Sequence, residues 1–345
     1  MRAAAISLLR PFAGQFARRA LGVLPVVALV ALLVFLLIHA VPGDPAELLS
    51  PEDATKADIE RLRVQLGLDQ SLAMQFWLFM RHALTGDFGL SFKYGEPVGG
   101  VIASHLPATL ELALAASLIA VAIGVPLGIW AGSRPNSWLD NLASMVGFFG
   151  ISVPGFWMGI MLILVVAGSL HWLPSSGRTE IGLDARAITG FLLLDTLLRG
   201  DAAGFASTLR HLALPALTLG INMVGIIMRV TRSAVIETMH EDYVRTARAT
   251  GQTERRVLWR HVLRNALVVI VTVVGLELGT LLSGSIIVET VFVWPGTGSL
   301  LIEALQGRDY PLLIGLVMVY TVLFVLLNLV IDLSYALIDP RIRLD

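Results

Sequence analysis

The ionisable residues of this chain do not form the pattern of a catalytic or metal centre. Its 345 residues include seven His and no Cys, so disulfides, thiolate zinc ligands and cysteine nucleophiles are excluded. The histidines lack the spacing of zinc ligands, and neither a glycine-rich phosphate loop nor a nucleophile elbow occurs. We therefore expect a protein that is not an enzyme, binds no metal and holds no cofactor of its own.

Polar residues inside apolar stretches are the next candidates for a functional role. They are Asn222, Glu277, Ser283 and Asn328. Such residues are costly in a bilayer and commonly face protein or a water-filled path. A buried carboxylate such as Glu277 needs a partner, a proton or water. Glu277 could therefore contact a cationic substrate group. The alternatives are that it lies near enough to the interface to be solvated, or that it pairs with another subunit. Glu111 and Glu289 fall at the ends of apolar stretches, where we expect simple solvation.

The composition places these residues in a membrane protein. Hydrophobic residues make up 56% of the chain and charged residues 15%, with a mean hydropathy of +0.77. Soluble domains carry about 25% charged residues, so the deficit indicates a bilayer. The net charge of −1 argues against a nucleic-acid partner.

Six stretches are long and apolar enough to cross a bilayer, which takes about 20 residues. They cover residues 20–41, 112–133, 142–170, 211–228, 266–288 and 311–331. The first is expected to be a retained helix, because it exceeds the apolar part of a signal peptide and no clear cleavage site precedes Pro42. The predicted fold class is therefore all-α and integral to the membrane.

Arginine marks one face of the predicted bundle. The leader 1–19 has four Arg and no acid, segment 229–264 has eight Arg against four acids, and the tail 337–345 has two Arg. With six spans these regions share one side, and the positive-inside rule makes that side cytoplasmic, together with both termini. The loop 42–104, with nine acids and five bases, then lies outside.

The long outer loop is expected to form a small helical cap between the first two spans. Residues 53–66 are predicted as a short helix ended by Gly67, and residues 72–84 repeat apolar side chains at helical spacing. A second outer insertion, 175–204, contains the apolar sequence ITGFLLLDTLLRG, which is too short to span and is expected to lie at the interface.

The most informative segment is the polar stretch 241–265, which lies between two apolar ones. Acids at its start and arginines further on favour a helix, because they complement the helix dipole. Gly251 is expected to end this helix in a left-handed conformation, and Thr253 to N-cap a second helix from Glu254. Such a helix–turn–helix can dock on a soluble partner at the membrane surface. The alternative is a solvated loop that only follows the positive-inside bias.

Eight short segments carry a family resemblance. They are FLLIHAVPGDPA, QLGLD, LTGDFGLS, LPATLELA, EDYVRTARATG, ETVFVWPGTG, RDYP and IDPRIRLD, and they run from residue 35 to the C-terminus. Together they resemble the permeases of type I ABC importers, in the dipeptide and oligopeptide branch. The coupling loop of that family has the pattern Glu-Ala-Ala-x-x-x-Gly. Here Arg245 and Thr246 replace the Glu and the first Ala, whereas Ala247 and Gly251 match, and Arg-Thr-Ala is usual in the peptide branch.

The resemblance implies the organisation of the chain and its partners. It implies a leader at 1–19, a first helix and periplasmic cap at 20–104, a type 1 permease domain at 105–336 with its coupling loop at 229–265, and a tail at 337–345. The chain would be a permease subunit of an ATP-driven dipeptide or oligopeptide importer in a bacterial inner membrane. Its partners would be a second permease, two ATP-binding subunits that hold ATP and Mg²⁺, a periplasmic peptide-binding protein and the lipid bilayer.

The resemblance also implies which residues carry the function. The contacts with the ATP-binding subunits would be made by Glu241, Asp242, Tyr243, Arg245, Thr246, Ala247, Arg248 and Gly251. The translocation path of such a permease is expected to include Asn222, Glu277 and Ser283, because they are polar residues inside apolar stretches.

Other functions stay open at this point. The substrate could instead be glutathione, haem or a metal chelate. An ion-coupled secondary transporter would need paired intramembrane ionisable residues, and only Glu277 is central. An intramembrane protease would need a nucleophile or metal set that the sequence lacks.

Overall fold

A computed structural model describes residues 22, 25–37, 39, 45–48, 50, 53–65, 68–180 and 188–338 of the chain. The predicted leader 1–19, the predicted cap residue Gly67 and most of the predicted tail lie outside these residues. Within the described ranges the chain is helical, and the only strand-like feature is an isolated bridge between Leu90 and Pro97. The all-α prediction is confirmed.

Fifteen α-helices are present among the described residues. The first seven are α1 (Pro25–Leu37), α2 (Pro45–Leu48), α3 (Lys56–Gln65), α4 (Leu72–Thr85), α5 (Val98–Ser133), α6 (Trp138–Ser152) and α7 (Gly155–Leu162). The others are α8 (Leu192–Leu198), α9 (Ala202–Met239), α10 (Asp242–Ala249), α11 (Glu254–Arg256), α12 (Leu263–Gly284), α13 (Ile286–Val291), α14 (Thr297–Gln306) and α15 (Tyr310–Ile338). Helix α7 continues as π-helical turns over Ile163–Ser169, and π-helical turns over Val257–Val262 join α11 to α12.

Four of the described helical segments are long and apolar enough to cross a membrane. They are α5, α9, Glu254–Leu281 and Tyr310–Ser334. A fifth span is formed if α6 is taken together with α7 and its π-helical turns, although the two halves are bent by 98°. Helix α1 is a shorter apolar helix within the predicted first span 20–41, and both ends of that span lie outside the described residues.

The chain divides into two compact units. One comprises the described residues up to Leu106 together with Leu300–Leu329, and the other comprises Pro107–Ser299 and the described residues from Val330 onward.

The first unit contains the predicted cap. Helices α3 and α4 confirm the two helices expected there, and Gly86 ends α4 in a left-handed conformation (φ 73°). Its apolar core joins the start of α5 to α14 and α15 through Val98, Leu300 and Leu312. Asp309 is fully buried and accepts hydrogen bonds from the Ser91 hydroxyl (2.5 Å) and the Lys93 backbone N–H (3.2 Å).

The second unit is built around α9. Within its apolar window 72% of residues are buried, against 28% in the Glu254–Leu281 window, so α9 is surrounded by protein. Small residues allow this close packing. At Gly128 of α5, an added Cβ would lie 2.5 Å from Thr231 Cβ and 2.7 Å from the Met228 carbonyl oxygen of α9. The buried Asp140 of α6 also forms an ion pair with Arg232 of α9.

The bent span breaks between Ser152 and Gly155. Pro154 precedes α7 and has no N–H, so the hydrogen-bond ladder of α6 cannot continue into α7. The predicted span 142–170 is therefore divided by a sharp bend at Pro154 and is not one straight helix. Asn222 of α9 faces the break, and the hydrogen-bonding groups around it assign its amide nitrogen to the side of the Gly150 and Val153 carbonyl oxygens, to which it donates in that orientation. This contact compensates the backbone groups that the break would leave unpaired.

Candidate functional site

The segment 241–265 folds as the helix–turn–helix that the sequence predicts. Helix α10 begins after Glu241, whose extended backbone (φ −66°, ψ 146°) occupies the N-cap position without a side-chain cap. It ends before Gly251, which has φ 77°. The Gly251 N–H donates to the Arg248 carbonyl (2.9 Å) and the Gln252 N–H to the Ala247 carbonyl (3.3 Å). The predicted left-handed conformation of Gly251 is confirmed.

Helix α10 is amphipathic and is held by its own chain. Val244 is fully buried and Ala247 is 5% exposed. They pack in one cluster with residues of α5, α9, the π-helical turns and α12, which are Ile129, Ala234, Val235, Val257, Val262, Ala266 and Ile270. The opposite face is exposed and includes Tyr243, Arg245 and Thr246. The buried face fixes the helix, and the exposed face is free for a partner.

Polar contacts hold α10 against the start of the following helix. Arg248 donates two hydrogen bonds to the Glu254 carboxylate (2.9 and 3.2 Å). The Asn265 amide donates to the Tyr243 hydroxyl (2.9 Å). Partial desolvation at the edge of the exposed face raises the pKa of Tyr243 above its ordinary value. Thr253 takes the predicted N-cap position, but its hydroxyl makes no capping bond, and this part of the prediction is wrong.

These contacts divide the predicted coupling residues into two groups. Ala247 and Gly251 shape the helix, and Arg248 is paired within the segment. Asp242 and Arg245 are exposed and lie only 3.4 Å apart at a helical i,i+3 spacing, which is worth little in water. The other predicted coupling residues, which are Glu241, Asp242, Tyr243, Arg245 and Thr246, have exposed side chains.

The three predicted path residues are not joined by any contact among the described residues. Asn222 supports the helix break, as described above. Glu277 lies on α12, is partly buried, and its carboxylate makes no hydrogen bond or ion pair within the described residues. The side chain of Ser283 lies outside what the structure describes. Asn328, also considered, donates to the Phe324 carbonyl of its own helix (3.0 Å).

The expectation that Glu289 is solvated is wrong. Glu289 has no exposed surface and accepts hydrogen bonds from the Thr109 hydroxyl (3.0 Å) and the Ser285 hydroxyl (2.7 Å). It also accepts from the backbone N–H groups of Gly298 (2.8 Å) and Ser299 (3.0 Å) at the start of α14. The carboxylate therefore caps α14, where the helix dipole favours a negative charge. The segments LPATLELA and ETVFVWPGTG, which supply Thr109 and Glu289, meet at this cluster.

The expectation that Glu111 is solvated is also wrong. Arg178 donates two hydrogen bonds to one Glu111 carboxylate oxygen (2.6 and 3.2 Å), and the Leu193 N–H donates to the other (2.7 Å). Arg178 further donates to the Gly190 carbonyl (2.8 Å) and lies over the Trp294 ring, 5.8 Å from its centroid. This buried pair ties the insertion 175–204 to α5. Glu111 lies in the segment LPATLELA, which carries part of the family resemblance, but nothing in the sequence indicates that Arg178 is its partner.

The apolar sequence within the insertion forms the short helix α8, too short to span as predicted. Asp195 is fully buried and accepts backbone hydrogen bonds from Ile188 (3.1 Å), Thr189 (2.9 Å) and Gly190 (3.0 Å). Burial tends to raise the pKa of Asp195, but the hydrogen bond from the Thr189 hydroxyl (2.6 Å) and these backbone bonds outweigh it and leave the pKa below its usual value. Among the described residues, no group of three or more His, Asp or Glu is placed to hold a metal ion.

An all-helical chain with several apolar spans and an exposed helix held at their ends has the form of a membrane permease subunit. It matches the family of binding-protein-dependent transport system inner membrane components over residues 124–344, and the N-terminal component of the same systems over residues 14–113. The chain belongs to this family.

The relatives of the chain match it over almost its whole length. The probable D,D-dipeptide transport system permease protein DdpB of Escherichia coli K12 is 45% identical, with 94% of this chain and 96% of the relative covered. The dipeptide transport system permease protein DppB of the same strain is 41% identical, with 95% and 98% covered. The solved inward-facing MetNI methionine ABC transporter covers 78% of this chain with a TM-score of 0.51 at 16% identity, which supports the type I permease fold.

Proposed function

We propose that the chain is the permease subunit of an ATP-driven importer for dipeptides or oligopeptides and forms half of its translocation path. The observation that carries the proposal is the likeness, over 94–95% of the chain, to permeases named for dipeptide transport. The exposed face of α10 supports it, because a permease without a nucleotide site needs a surface on which a motor can act.

The proposed partners follow from the separation of the membrane path, in this chain, from ATP hydrolysis, in other subunits. Two ATP-binding subunits supply ATP and Mg²⁺, a second permease completes the path, and a periplasmic binding protein delivers the peptide. A motor can shift the permease between inward- and outward-open states only if it binds them differently. The exposed residues Glu241, Asp242, Tyr243, Arg245 and Thr246 make that contact, and Ala247, Arg248 and Gly251 hold the helix in position for it.

Reconstitution of the complete complex tests the proposed function. We expect uptake of a radiolabelled dipeptide that requires ATP, the two ATP-binding subunits and the binding protein. Uptake of glutathione or haem without dipeptide uptake would contradict the substrate class. Dipeptide uptake by the purified chain alone, driven by a proton gradient, would contradict the ATP-driven mechanism.

The Arg-rich segments support a definite orientation in the bacterial inner membrane. We propose that α10 and both termini face the cytoplasm and that the cap faces the periplasm. The native chain has no Cys, so single cysteines report accessibility without background. In intact cells, Asp69→Cys and Ser176→Cys should react with an impermeant maleimide and Thr253→Cys should not. The reverse pattern would invert the proposed orientation.

Glu277 is proposed to line the translocation path, together with Asn222 and Ser283. It is partly buried in an apolar helix and has no described partner, which is a costly arrangement unless water or substrate reaches it. Glu277→Leu should lower peptide uptake by about tenfold, equivalent to ~1.4 kcal/mol in the transport barrier. Glu277→Gln should have a smaller effect, since it keeps polarity and size. The neighbouring exposed Leu276→Ala is the matched control, and normal uptake in all three variants would make Glu277 a solvated surface residue.

A further inference from the structure

A cavity of about 570 Å³ lies in the second unit, where the π-helical turns after α7 approach the start of α9. This volume falls in the range of small-molecule sites, which is about 300–1,000 Å³. One wall is apolar and is formed by Ile163, Leu164 and Ala167. The lining also includes the polar residues His171, Glu180 and Arg210. The cavity therefore offers an apolar surface and groups of both charges in one place.

The charged groups of this cavity retain unused hydrogen-bonding capacity. Within the described part of the chain, the Arg210 side chain makes one hydrogen bond, to the Trp172 carbonyl at 3.3 Å, although a guanidinium carries five N–H donors. The Glu180 carboxylate has no hydrogen-bond or ion-pair partner within the described residues, whereas its backbone N–H is bonded to Ser207 (3.0 Å). Arg210 and Glu180 do not form an ion pair with each other. Each remains available to a ligand of opposite charge.

The backbone around the cavity departs from regular helix. The wall Ile163–Ser169 is π-helical, a geometry that is rare and frequent at functional sites. His171 has φ 54°, in the left-handed region that a non-glycine residue adopts only at a cost. An observed outlier of this kind beside a cavity supports a functional role for the site.

We propose that this cavity is a subsite for a short zwitterionic peptide, with the peptide carboxylate at Arg210, its ammonium group at Glu180 and a side chain against Ile163 and Leu164. The inference rests on the proposed function and adds a site to it. A carboxylate suits the planar fork of a guanidinium, because the two can share parallel hydrogen bonds. Arg210 and Glu180 are exposed and hydrated in the free protein, so the choice of a zwitterion rests on its matching both charges at once beside the apolar wall.

Substrate protection of a single cysteine tests the site in the complete complex without its binding protein. Ala167→Cys places a thiol on the cavity wall, and mass spectrometry of this chain reads its reaction with a methanethiosulfonate. Alanyl-phenylalanine at about four times its Kd should slow this reaction ~5-fold, since protection scales as one plus the ratio of ligand to Kd. N-acetyl-alanyl-phenylalanine amide, which lacks both charges, should not protect.

Matched variants distinguish the contribution of the two charged side chains from unspecific effects of substitution on cysteine protection. Arg210→Gln and Glu180→Gln should each abolish protection, whereas Arg134→Gln, an exposed residue outside the cavity, should preserve it. Cysteine at Ala203, exposed on α9 and outside the lining, should react equally fast with and without peptide.

Three outcomes would overturn the subsite. They are equal protection by the blocked analogue, protection by phospholipid but not by dipeptide, and no protection in a complex that still transports the dipeptide with its binding protein. The last outcome leaves the proposed function intact. Loss of both protection and uptake in the native-sequence complex would contradict the proposed function itself.

Discussion

Gly251→Val is expected to leave the spans inserted and to uncouple ATP hydrolysis from peptide uptake. Gly251 has φ 77°, and no atom lies within 4 Å of an added Cβ. A clash with neighbours therefore cannot cause the effect, and only the backbone conformation can. A β-branched residue is a genuine outlier in the left-handed region, at a cost of roughly 1–3 kcal/mol. The turn relaxes, and α10 loses the orientation set by Val244 and Ala247.

The control for this prediction is Gly251→Asn, because asparagine tolerates the left-handed region far better than valine. The measurement is dipeptide uptake together with ATP hydrolysis in the reconstituted complex. We expect Gly251→Asn to retain at least half of the native uptake and Gly251→Val to lose most of it while hydrolysis continues or the ATP-binding subunits dissociate. Normal assembly, hydrolysis and uptake in Gly251→Val would show that α10 is not the coupling element.

Local features of the fold could be predicted from the sequence because local chemistry determines them. The left-handed Gly251 follows from glycine after a short helix with acids first and arginines later. Helix α4 follows from apolar residues at helical spacing, and its bounds differ by one residue from the predicted 72–84. The residue types that favour these conformations lie close together in sequence, so no tertiary knowledge was needed to predict them.

The first and last residues of the membrane-spanning helices were predicted less accurately than these local features. The predicted span 211–228 is the middle of α9, which extends to Ala202 and Met239. Hydropathy marks the part of a helix that lipid tails would contact, whereas α9 is covered by protein and continues through polar residues at both ends. At the break before Pro154, the freed carbonyl oxygens accept hydrogen bonds from the Asn222 amide, and this donor is remote in sequence.

The buried carboxylates of the second unit were missed for the same reason. Glu289 and Thr109 are 180 residues apart in the chain, and Glu111 and Arg178 are 67 apart. A carboxylate at the end of an apolar stretch has the same sequence signature whether water or a remote arginine solvates it. Only the tertiary structure distinguishes a solvated carboxylate from a paired one. It shows that Glu111 and Glu289, which were expected to be solvated, are buried and hydrogen-bonded to other parts of the chain.

The Glu111–Arg178 pair provides the second large effect. Arg178 and Glu111 side chains are 15% and 5% exposed. Removing one partner of a buried pair leaves an uncompensated charge, which costs about 3–5 kcal/mol. We expect Glu111→Leu and Arg178→Met each to lower the free energy of unfolding in mixed micelles by that amount and to reduce the yield of assembled complex.

The double variant identifies the cause. Glu111→Leu with Arg178→Met removes both charges and leaves the Leu193 N–H and Gly190 carbonyl without these partners, which costs about 1–3 kcal/mol per group. Its destabilisation should therefore fall below the sum of the two single variants by at least ~2 kcal/mol, since groups in direct contact do not act additively. The exposed pair Asp58–Arg61, 51% and 78% exposed, is the matched control and should show a coupling below about 1 kcal/mol. Additive single effects at Glu111 and Arg178 would mean that their charges act independently and that the insertion is held by its other contacts.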